Sequence, residues 1–377
     1  MNSLNALQTP AAVVDVQRMQ SNIDRMQNQV NRLGARLRPH VKTSKSWPVA
    51  QAQIVAGAQG VTVSTLKEAE QFFEAGVIDI LYAIAMAPTK LDRAFALCQR
   101  GCCLKLVTDS VAGARAIAEY GRAKGHTFEV WIEIDTDGHR SGVAPESDLL
   151  LEIARELNRV GARLGGVMTH AGSSYDFDTC EALLQIARQE RDLAVRAAHR
   201  LRQAGYACAQ VSIGSTPTAL SYDHLHGVTE VRAGVYVFFD LVMHNVGVCS
   251  TGDIALSVLA SVIGHQPEKG WLIVDAGWMA MSRDRGTQKQ KQDFGYGQVC
   301  DLQGNVLPSV LMTGANQEHG IISVSIDEGE AIEQRYPIGT RLRILPNHAC
   351  ATAAQYPAYT AIMADGSVEQ WERFYGW

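Results

Sequence analysis

The amino-acid sequence predicts an α/β protein made of a (β/α)8 TIM-like barrel and a second, β-rich domain. Eight short apolar segments alternate with amphipathic segments up to residue 236, a pattern typical of βαβ units around a parallel sheet. After residue 248 the pattern changes to β-segments with only short helical stretches between them. A lysine, Lys42, ends the first apolar segment, and such barrels assemble their chemistry at the carboxyl ends of their strands.

The eight barrel strands are predicted from short runs of apolar and β-branched residues bounded by turn signals. In chain order they cover residues 36–42, 60–64, 78–84, 103–108, 128–135, 164–170, 210–214 and 230–236. Helices are predicted between and before them. One covers residues 15–33, one begins at the capping hydroxyl of Ser64, and one covers residues 181–204 and ends at Gly205.

The β-rich domain is predicted from strands at residues 255–263, 270–275, 298–302 and 340–345. A further strand at residues 11–15 precedes the barrel and is expected to pair with this domain. The predicted domains are therefore 16–248 for the barrel and 1–15 together with 249–377 for the β-rich domain.

Composition indicates a small-molecule enzyme of the cytoplasm. The 377 residues are sufficient for two domains, and 46% hydrophobic with 19% charged residues is typical of soluble globular proteins. No apolar run approaches the ~20 residues of a membrane helix, and residues 1–10 lack the features of a secretory signal. A net charge of −5 without a basic stripe argues against nucleic acid. Eight cysteines without regular spacing indicate reduced thiols.

Two glycine-containing loops are candidate phosphate sites because they follow the last two predicted strands. Barrels commonly bind phosphate on the loops after strands seven and eight. Glycine lets a ligand approach the backbone, and hydroxyl groups add donors. The alternative is that these are ordinary turn glycines. The candidate residues are Gly214, Ser215 and Thr216 in the first loop and Gly234, Val235 and Tyr236 in the second.

His348 and Cys350 are candidate metal ligands. Residues two apart on an extended segment point to the same side, so the imidazole and the thiolate can converge on one ion. The alternative is coincidence, since zinc sites usually have three or four protein ligands. A sulfur ligand favours zinc as the bound metal, and manganese and cobalt are the alternatives. The nearby run at residues 283–292 has charges of both signs and is predicted to be a solvated loop.

Three motifs in combination resemble a known family. They are Thr9-Pro10 with Asp15, Arg38-Pro-His-Val-Lys42-Thr43, and Pro346-Asn-His-Ala-Cys350. Together they resemble the fold-type III pyridoxal-phosphate enzymes of the D-serine dehydratase and D-threonine aldolase family, over nearly the whole chain. The resemblance implies an alanine racemase-like fold, pyridoxal 5'-phosphate and a divalent metal as cofactors, and a homodimer.

By this resemblance Lys42 forms the Schiff base with the cofactor and then removes the α-proton of the substrate, with the cofactor ring as electron sink. A lysine desolvated at a barrel mouth can serve as such a nucleophile, whereas the alternative is a solvated surface lysine. Arg140 corresponds to the arginine near the cofactor phenolic oxygen, and its alternative is a surface arginine. Arg232 matches the arginine that faces the pyridine nitrogen in the related racemases, and a guanidinium there would leave that nitrogen unprotonated. His170 and Tyr175 are expected to contact the ring.

The expected reaction is dehydration of a D-configured 3-hydroxy amino acid. The resemblance implies D-threo-3-hydroxyaspartate as substrate, with oxaloacetate and ammonia as products, and also D-serine, which would give pyruvate. The metal would act as a Lewis acid at the hydroxyl group. One alternative is an aldolase that gives glycine and an aldehyde. Cys350 argues against it, because the aldolases typically have an aspartate there. A second alternative is a non-catalytic pyridoxal-phosphate-binding protein.

Overall fold

The computed structural model describes residues 4–325 and 331–377. By packing, residues 24–234 together with 374–377 form one compact unit, here called the barrel unit. The described residues among 1–23 and 235–373 form a second, here called the β-rich unit. These bounds differ from the predicted domain bounds at residues 15 and 248, which stay a prediction. Residues 1–3 and 326–330 of the predicted β-rich domain lie outside the described residues.

Each strand of the described residues lies in one of two sheets. In chain order they are β1 (Ala11–Asp15), β2 (Arg36–Pro39), β3 (Val61–Val63), β4 (Asp79–Ala85), β5 (Cys103–Thr108), β6 (Phe128–Glu133), β7 (Ala162–Met168), β8 (Gln210–Ile213), β9 (Glu230–Ala233), β10 (Leu256–Gln266), β11 (Trp271–Val274), β12 (Gly297–Cys300), β13 (Val306–Ala315), β14 (Gly320–Ser323), β15 (Arg341–Pro346), β16 (Ala358–Ile362) and β17 (Val368–Glu372).

Among the α-helices of the same residues, α1 precedes the first barrel strand, and the helices after residue 203 are short. They are α1 (Val16–Arg32), α2 (Trp47–Val55), α3 (Leu66–Glu74), α4 (Leu91–Gln99), α5 (Val111–Lys124), α6 (Leu149–Leu157), α7 (Cys180–Gln203), α8 (Thr216–Ser221), α9 (Leu241–Val246), α10 (Trp278–Met281), α11 (Ile332–Arg335) and α12 (Ala349–Ala353). None of these helices combines the length and the apolar character needed to span a membrane.

The barrel unit contains the predicted eight-stranded parallel sheet. Its strand order is β2-β9-β8-β7-β6-β5-β4-β3. A parallel bridge between His40 and Thr62 joins the two ends of the sheet, so the ring is nearly closed. The buried side chains of these strands include the apolar cluster of Leu81, Ala83, Val107, Trp131 and Met168. The fold prediction for this part of the chain is confirmed.

Several barrel strands end earlier than predicted. The strand β2 ends at Pro39 rather than residue 42, β7 ends at Met168 rather than residue 170, and β9 ends at Ala233 rather than residue 236. The apolar pattern extended the predictions because loop residues such as Val41 and Val235 are buried as well. Several candidate site residues, such as Lys42 and His170, therefore lie just beyond the strands, whereas Arg232 lies on β9.

The helix boundaries that were predicted differ from the observed ones by one residue. The cap of α3 is Thr65, whose hydroxyl accepts a hydrogen bond from the backbone N–H of Glu68, so the predicted cap at Ser64 is wrong by one residue. The helix α7 begins after Thr179, which caps it in the same way through Ala182.

The β-rich unit contains the second sheet. Its order is β11-β14-β13-β12-β15-β10-β1-β16-β17, and an additional pairing of β10 with β11 closes part of it into a ring. The strand β1 pairs antiparallel with β10, so the predicted pairing of residues 11–15 is confirmed. The strands β13, β14, β16 and β17 were not predicted. Pro308 and Gly314 interrupt the β-pattern of β13, and β17 is mostly exposed and polar.

Candidate active site

Lys42 lies in the turn that follows β2, at the carboxyl end of the barrel strands. Its side chain is exposed, whereas the preceding residue, Val41, is buried. Burial by the protein therefore does not supply the desolvation that we expected for this lysine. The exposed position leaves the amine accessible to an aldehyde.

Positive charges surround two neutral histidines near Lys42. Burial lowers the pKa of His40, and the charges of Lys42 and Arg232 lower it further. Burial also lowers the pKa of His170 to about 3, with contributions from Lys42 and Arg140. Both histidines are therefore neutral at neutral pH, and the positive charges that act on them are those of Lys42, Arg140 and Arg232.

Arg232 is buried on β9 and its guanidinium is held by two acceptors. Its Nη1 donates to Ser212 Oγ at 2.7 Å, and its Nη2 donates to the Thr169 carbonyl at 2.5 Å. Ser212 Oγ in turn donates to Glu230 Oε1 at 2.6 Å, and Arg38 Nε donates to Glu230 Oε2 at 2.7 Å. Burial lowers the pKa of Arg232, although the carboxylate of Glu230 opposes this. The orientation of the guanidinium is set by these contacts.

The loop after β8 requires glycine at position 214. Gly214 has a φ angle of +127°, and a Cβ there would lie 2.4 Å from the carbonyl oxygen of Arg232. The backbone N–H of Ser215 donates to Thr218 Oγ1 at 2.9 Å, and Ser215 Oγ accepts from the Thr218 N–H at 3.2 Å. Thr216 is buried at the first position of α8. Because Ser215 is engaged with Thr218, these contacts do not support it as a phosphate donor.

A buried glutamate of α7, Glu190, was not predicted as a site residue. Its Oε1 accepts from the backbone N–H groups of Ala171 at 2.8 Å and Gly214 at 3.1 Å, and its Oε2 accepts from the Tyr222 hydroxyl. Burial raises the pKa of this carboxyl group. Glu190 therefore joins the loops after β7 and β8, and the Gly214 N–H is already used within the protein.

The remaining candidates of the barrel unit lie in the loops after β6, β7 and β9. His170 Nδ1 donates to the Gly214 carbonyl at 3.1 Å, and its ring centroid lies 6.2 Å from that of Tyr175. Arg140 is exposed, with its Nη2 4.0 Å from Oε1 of the buried Glu133. A Cβ on Gly234 would lie 3.1 Å from the carbonyl oxygen of His40.

Val235 and Tyr236 belong to the β-rich unit, where they form a buried turn of 3-10 helix with Val237. Their predicted role in holding phosphate is not tested by these contacts and stays a prediction.

His348 and Cys350 lie at the beginning of α12. His348 is the extended residue before the helix and Cys350 is its second residue, so the prediction of a continuous extended segment is wrong. Pro346 ends β15, and the chain turns into the helix directly afterwards. The two side chains nevertheless interact. Burial lowers the pKa of His348, but Cys350, Asp284 and Asp240 outweigh this effect and raise it to about 11.

Asp284 is the residue of this region that sequence reasoning missed. Its Oδ2 lies 2.6 Å from His348 Nδ1, and the loop that carries it was predicted to be solvated. Thr287 of the same loop is buried, so the prediction of a solvated loop is wrong for this residue, whereas Asp284 is exposed. Across residues 4–325 and 331–377, no group of three or more His, Cys, Asp or Glu side chains is arranged to hold a metal ion.

Two family models match the chain. The model described as "Alanine racemase, N-terminal domain" matches residues 14–242, and the one described as "Putative serine dehydratase domain" matches residues 255–362. A D-threo-3-hydroxyaspartate dehydratase from Delftia sp. (strain HT23) is 67% identical over 100% of both chains. The chain belongs to the D-serine dehydratase family of fold-type III pyridoxal-phosphate enzymes.

Other comparisons agree with this family. The solved structure of the Delftia dehydratase superposes with a TM-score of 0.98, at 66% identity over 100% of both chains. A D-serine dehydratase of Dictyostelium discoideum is 30% identical over 97% of this chain and 96% of its own. A D-threonine aldolase of Arthrobacter sp. is 29% identical over 98% of this chain and 93% of its own.

Two further solved structures are of alanine mutants of D-threo-3-hydroxyaspartate dehydratase. Each is 66% identical in sequence to this chain. One replaces a cysteine and is in the metal-free form. The other replaces a histidine two positions before that cysteine. The spacing is that of His348 and Cys350 in this chain.

Of the two residues that were not predicted, Glu190 had a weak signal in the sequence and Asp284 had none. Glu190 stands among Ile186, Ala187 and Ala194 on the apolar face of a predicted helix, where a carboxylate needs a partner. Asp284 had no such signal, because it stands in a polar stretch whose charges look solvated. Both carboxylates accept hydrogen bonds from residues that are distant in sequence, Glu190 from Gly214 and Asp284 from His348.

Proposed function

We propose that the protein is a dehydratase that depends on pyridoxal phosphate and a divalent metal, and that converts D-threo-3-hydroxyaspartate into oxaloacetate and ammonia. The observation that carries this proposal is the full-length similarity to the Delftia dehydratase, which includes both halves of the chain. The protein is therefore a lyase. D-serine, with pyruvate as product, is proposed as a second substrate on the similarity to D-serine dehydratase.

The barrel mouth fits pyridoxal phosphate. The exposed amine of Lys42 and the guanidinium groups of Arg140 and Arg232 all act on His170 at this mouth, so a covalent attachment point lies near cationic groups that suit an anionic cofactor. The bound cofactor would supply an aldehyde that captures the substrate amine and a ring that accepts the electron pair of the Cα–H bond.

Each candidate residue has a proposed task at this cofactor. Lys42 would hold it covalently and, once released, accept the proton from Cα. The buried guanidinium of Arg232 would keep the pyridine nitrogen unprotonated, because arginine does not give up its proton. Arg140 would lie near the phenolic oxygen, and His170 and Tyr175 would contact the ring. The phosphate would lie on the loops that contain Gly214, Ser215, Thr216, Gly234, Val235 and Tyr236.

The donors at the start of α12 fit a divalent metal. An imidazole and a thiol that already interact are borderline and soft ligands, which favours zinc over manganese or cobalt. The metal would supply Lewis-acid stabilisation of the departing hydroxide. The metal-free cysteine mutant of the relative supports this assignment of Cys350.

Two alternatives are weaker. Retro-aldol cleavage would give glycine and an aldehyde, but the similarity to the aldolase is much lower than that to the Delftia dehydratase. A non-catalytic cofactor-binding protein would need only the barrel, whereas this chain also matches the serine dehydratase domain.

Product analysis separates these functions. The purified protein with cofactor and metal is incubated with D-threo-3-hydroxyaspartate, and oxaloacetate, ammonia, glycine and glyoxylate are measured. We expect oxaloacetate and ammonia in equal amounts, since the reaction converts one substrate into one of each. Glycine with glyoxylate would instead identify an aldolase, and the absence of turnover on this substrate and on D-serine would indicate a carrier.

A Lys42→Ala variant tests the cofactor lysine. Loss of both the attachment point and the base should reduce turnover by more than the ~10²–10⁴-fold of a general base alone. The visible absorbance of the lysine-bound cofactor should also disappear. Lys124→Ala removes a half-exposed lysine of α5 and should leave both properties unchanged. Retention of the visible band in Lys42→Ala would assign the attachment to another lysine.

We also infer a cytoplasmic homodimer. This inference is supported by the composition and by the family resemblance. Sedimentation of the purified protein measures its mass, and a mass near twice the 41.0 kDa of the chain is expected.

A further inference from the structure

A carboxylate from the loop between α10 and β12 holds the ring of His348. The Nδ1–H of His348 donates to Asp284 Oδ2 at 2.6 Å. The side chains of His348 and Asp284 are 40% and 39% exposed, so burial does not force them into contact. When Nδ1 carries the hydrogen in a neutral imidazole, Nε2 keeps the lone pair that can bind a metal.

We propose that Asp284 is a positioning residue for the metal, which fixes the ring orientation of His348 and directs its Nε2 toward the ion. Metal-binding histidines usually donate their other ring N–H to a carboxylate or a carbonyl, and this second hydrogen bond raises the basicity of the ligand. The inference rests on the proposed metal pair of His348 and Cys350, and extends it to a residue outside that motif.

The loop is tied to the residue before His348, which places Asp284 beside the ring. The buried Thr287 donates through Oγ1 to Asn347 Oδ1 at 3.1 Å and accepts from the Phe294 N–H at 3.2 Å. Asn347 Nδ2 donates to the Gly295 carbonyl at 2.7 Å. Two parts of the loop thus converge on Asn347. The approach of Asp284 to His348 is therefore built into the fold of the loop.

The backbone around His348 is held independently of Asp284. The buried Asp240 accepts from the Ala349 N–H through Oδ2 at 2.9 Å and from the Met243 N–H through Oδ1 at 2.9 Å. Replacing Asp284 removes the acceptor of the imidazole and leaves these contacts in place. An effect of the replacement on metal binding can therefore be separated from a loss of fold.

Asp284 acts through the histidine rather than as a third ligand. Its Oδ2 is the acceptor of the imidazole N–H, and the part of the chain that the structure describes contains no three-ligand group. A carboxylate bound directly to the ion would have to give up this hydrogen bond.

The test is a metal titration of the full-length protein with its cofactor bound, stripped of metal with a chelator. Cobalt(II) alone is added, and the dissociation constant is measured by competition with a chromophoric chelator. The thiolate-to-cobalt absorbance band reports on Cys350. We expect Asp284→Ala to weaken binding by about 10–100-fold, the usual effect of losing such a partner. Asp284→Asn, which keeps an acceptor without the charge, should fall between Asp284→Ala and wild type.

The control variant is Asp293→Asn, which changes an acid of the same loop that pairs with Arg285. The dissociation constant of cobalt from this variant should equal that from wild type. In both Asp284 variants the thiolate band should persist at saturating cobalt. Unchanged affinity in Asp284→Ala, or a loss as complete as in His348→Ala, would overturn the positioning role alone. Failure of the wild-type protein to bind cobalt would overturn the proposed metal site as well.

Discussion

At the scale of single residues, Gly214 is constrained by both backbone and space. Its φ angle of +127° is one that side-chain-bearing residues rarely adopt, and a Cβ would lie 2.4 Å from the Arg232 carbonyl. Gly214→Ala should therefore lower the free energy of unfolding by about 2 kcal/mol or more, because the cost of overpacking adds to the strain of the backbone conformation. It should also weaken cofactor binding, because the neighbouring loop must shift. Urea denaturation and cofactor titration measure the two effects.

The matched control for this change is Gly205→Ala. Gly205 also has a positive φ, of +85°, but its Cβ position is open. It should lose only the roughly 1–2 kcal/mol of a left-handed conformation, with cofactor binding unchanged. Equal effects of the two replacements on cofactor affinity would show that the contact with Arg232 is unimportant.

Cys350→Asp replaces the soft thiolate of the proposed pair of metal ligands with a carboxylate. A carboxylate is a harder ligand than a thiolate, so zinc should bind more weakly and preference should move toward manganese. Dehydration of D-threo-3-hydroxyaspartate should fall, because it is proposed to need a Lewis acid at the hydroxyl group. Metal content and oxaloacetate formation are measured, with Cys103→Asp at an exposed thiol of β5 as control. If neither quantity changes in Cys350→Asp, the thiol is not a ligand.

At the scale of elements, α7 connects two loops of the barrel mouth through Glu190. Glu190→Ala leaves the buried N–H groups of Ala171 and Gly214 without their acceptor. Each unsatisfied group costs about 1–3 kcal/mol, so stability should fall substantially and cofactor affinity should fall with it. Glu190→Gln keeps an acceptor oxygen and should be milder.

A control on the same helix is Glu181→Ala, since Glu181 is exposed in the first turn of α7. Its unfolding free energy should stay close to that of wild type. The idea fails if Glu190→Ala unfolds at the same urea concentration as Glu181→Ala.

At the scale of the whole molecule, the partly buried His170 makes stability depend on pH. The pKa of His170 is about 3 in the folded protein, against 6.5 for an ordinary histidine, so only the unfolded chain takes up a proton between these values. Its contribution is complete above pH 6.5 and is lost as pH falls toward 3. One proton changes the free energy of unfolding by at most about 1.4 kcal/mol per pH unit.

A His170→Gln variant isolates this effect, because all other titrating groups are shared with wild type. Urea denaturation of both cofactor-free proteins across the acid window should show a smaller pH dependence in the variant. Parallel curves would mean that His170 titrates in the folded protein as in the unfolded chain.

The sequence by itself determined the eight barrel strands, the β-rich second domain, the placement of Lys42 after the first barrel strand and the close pair of His348 and Cys350. These features are local, because apolar periodicity and short motifs depend on residues near one another in the chain. The strand ends were predicted less accurately, since buried loop residues such as Val41 continue the apolar pattern beyond the strands.

Only the tertiary structure decided which polar residues meet. Glu190 reaches Gly214 across 24 residues of sequence, and Asp284 reaches His348 across 64. It also showed that Lys42 is exposed and that Cys350 lies in a helix rather than on a strand. A hydrogen bond between distant segments depends on how the chain packs as a whole, and no local pattern of residue types encodes that packing.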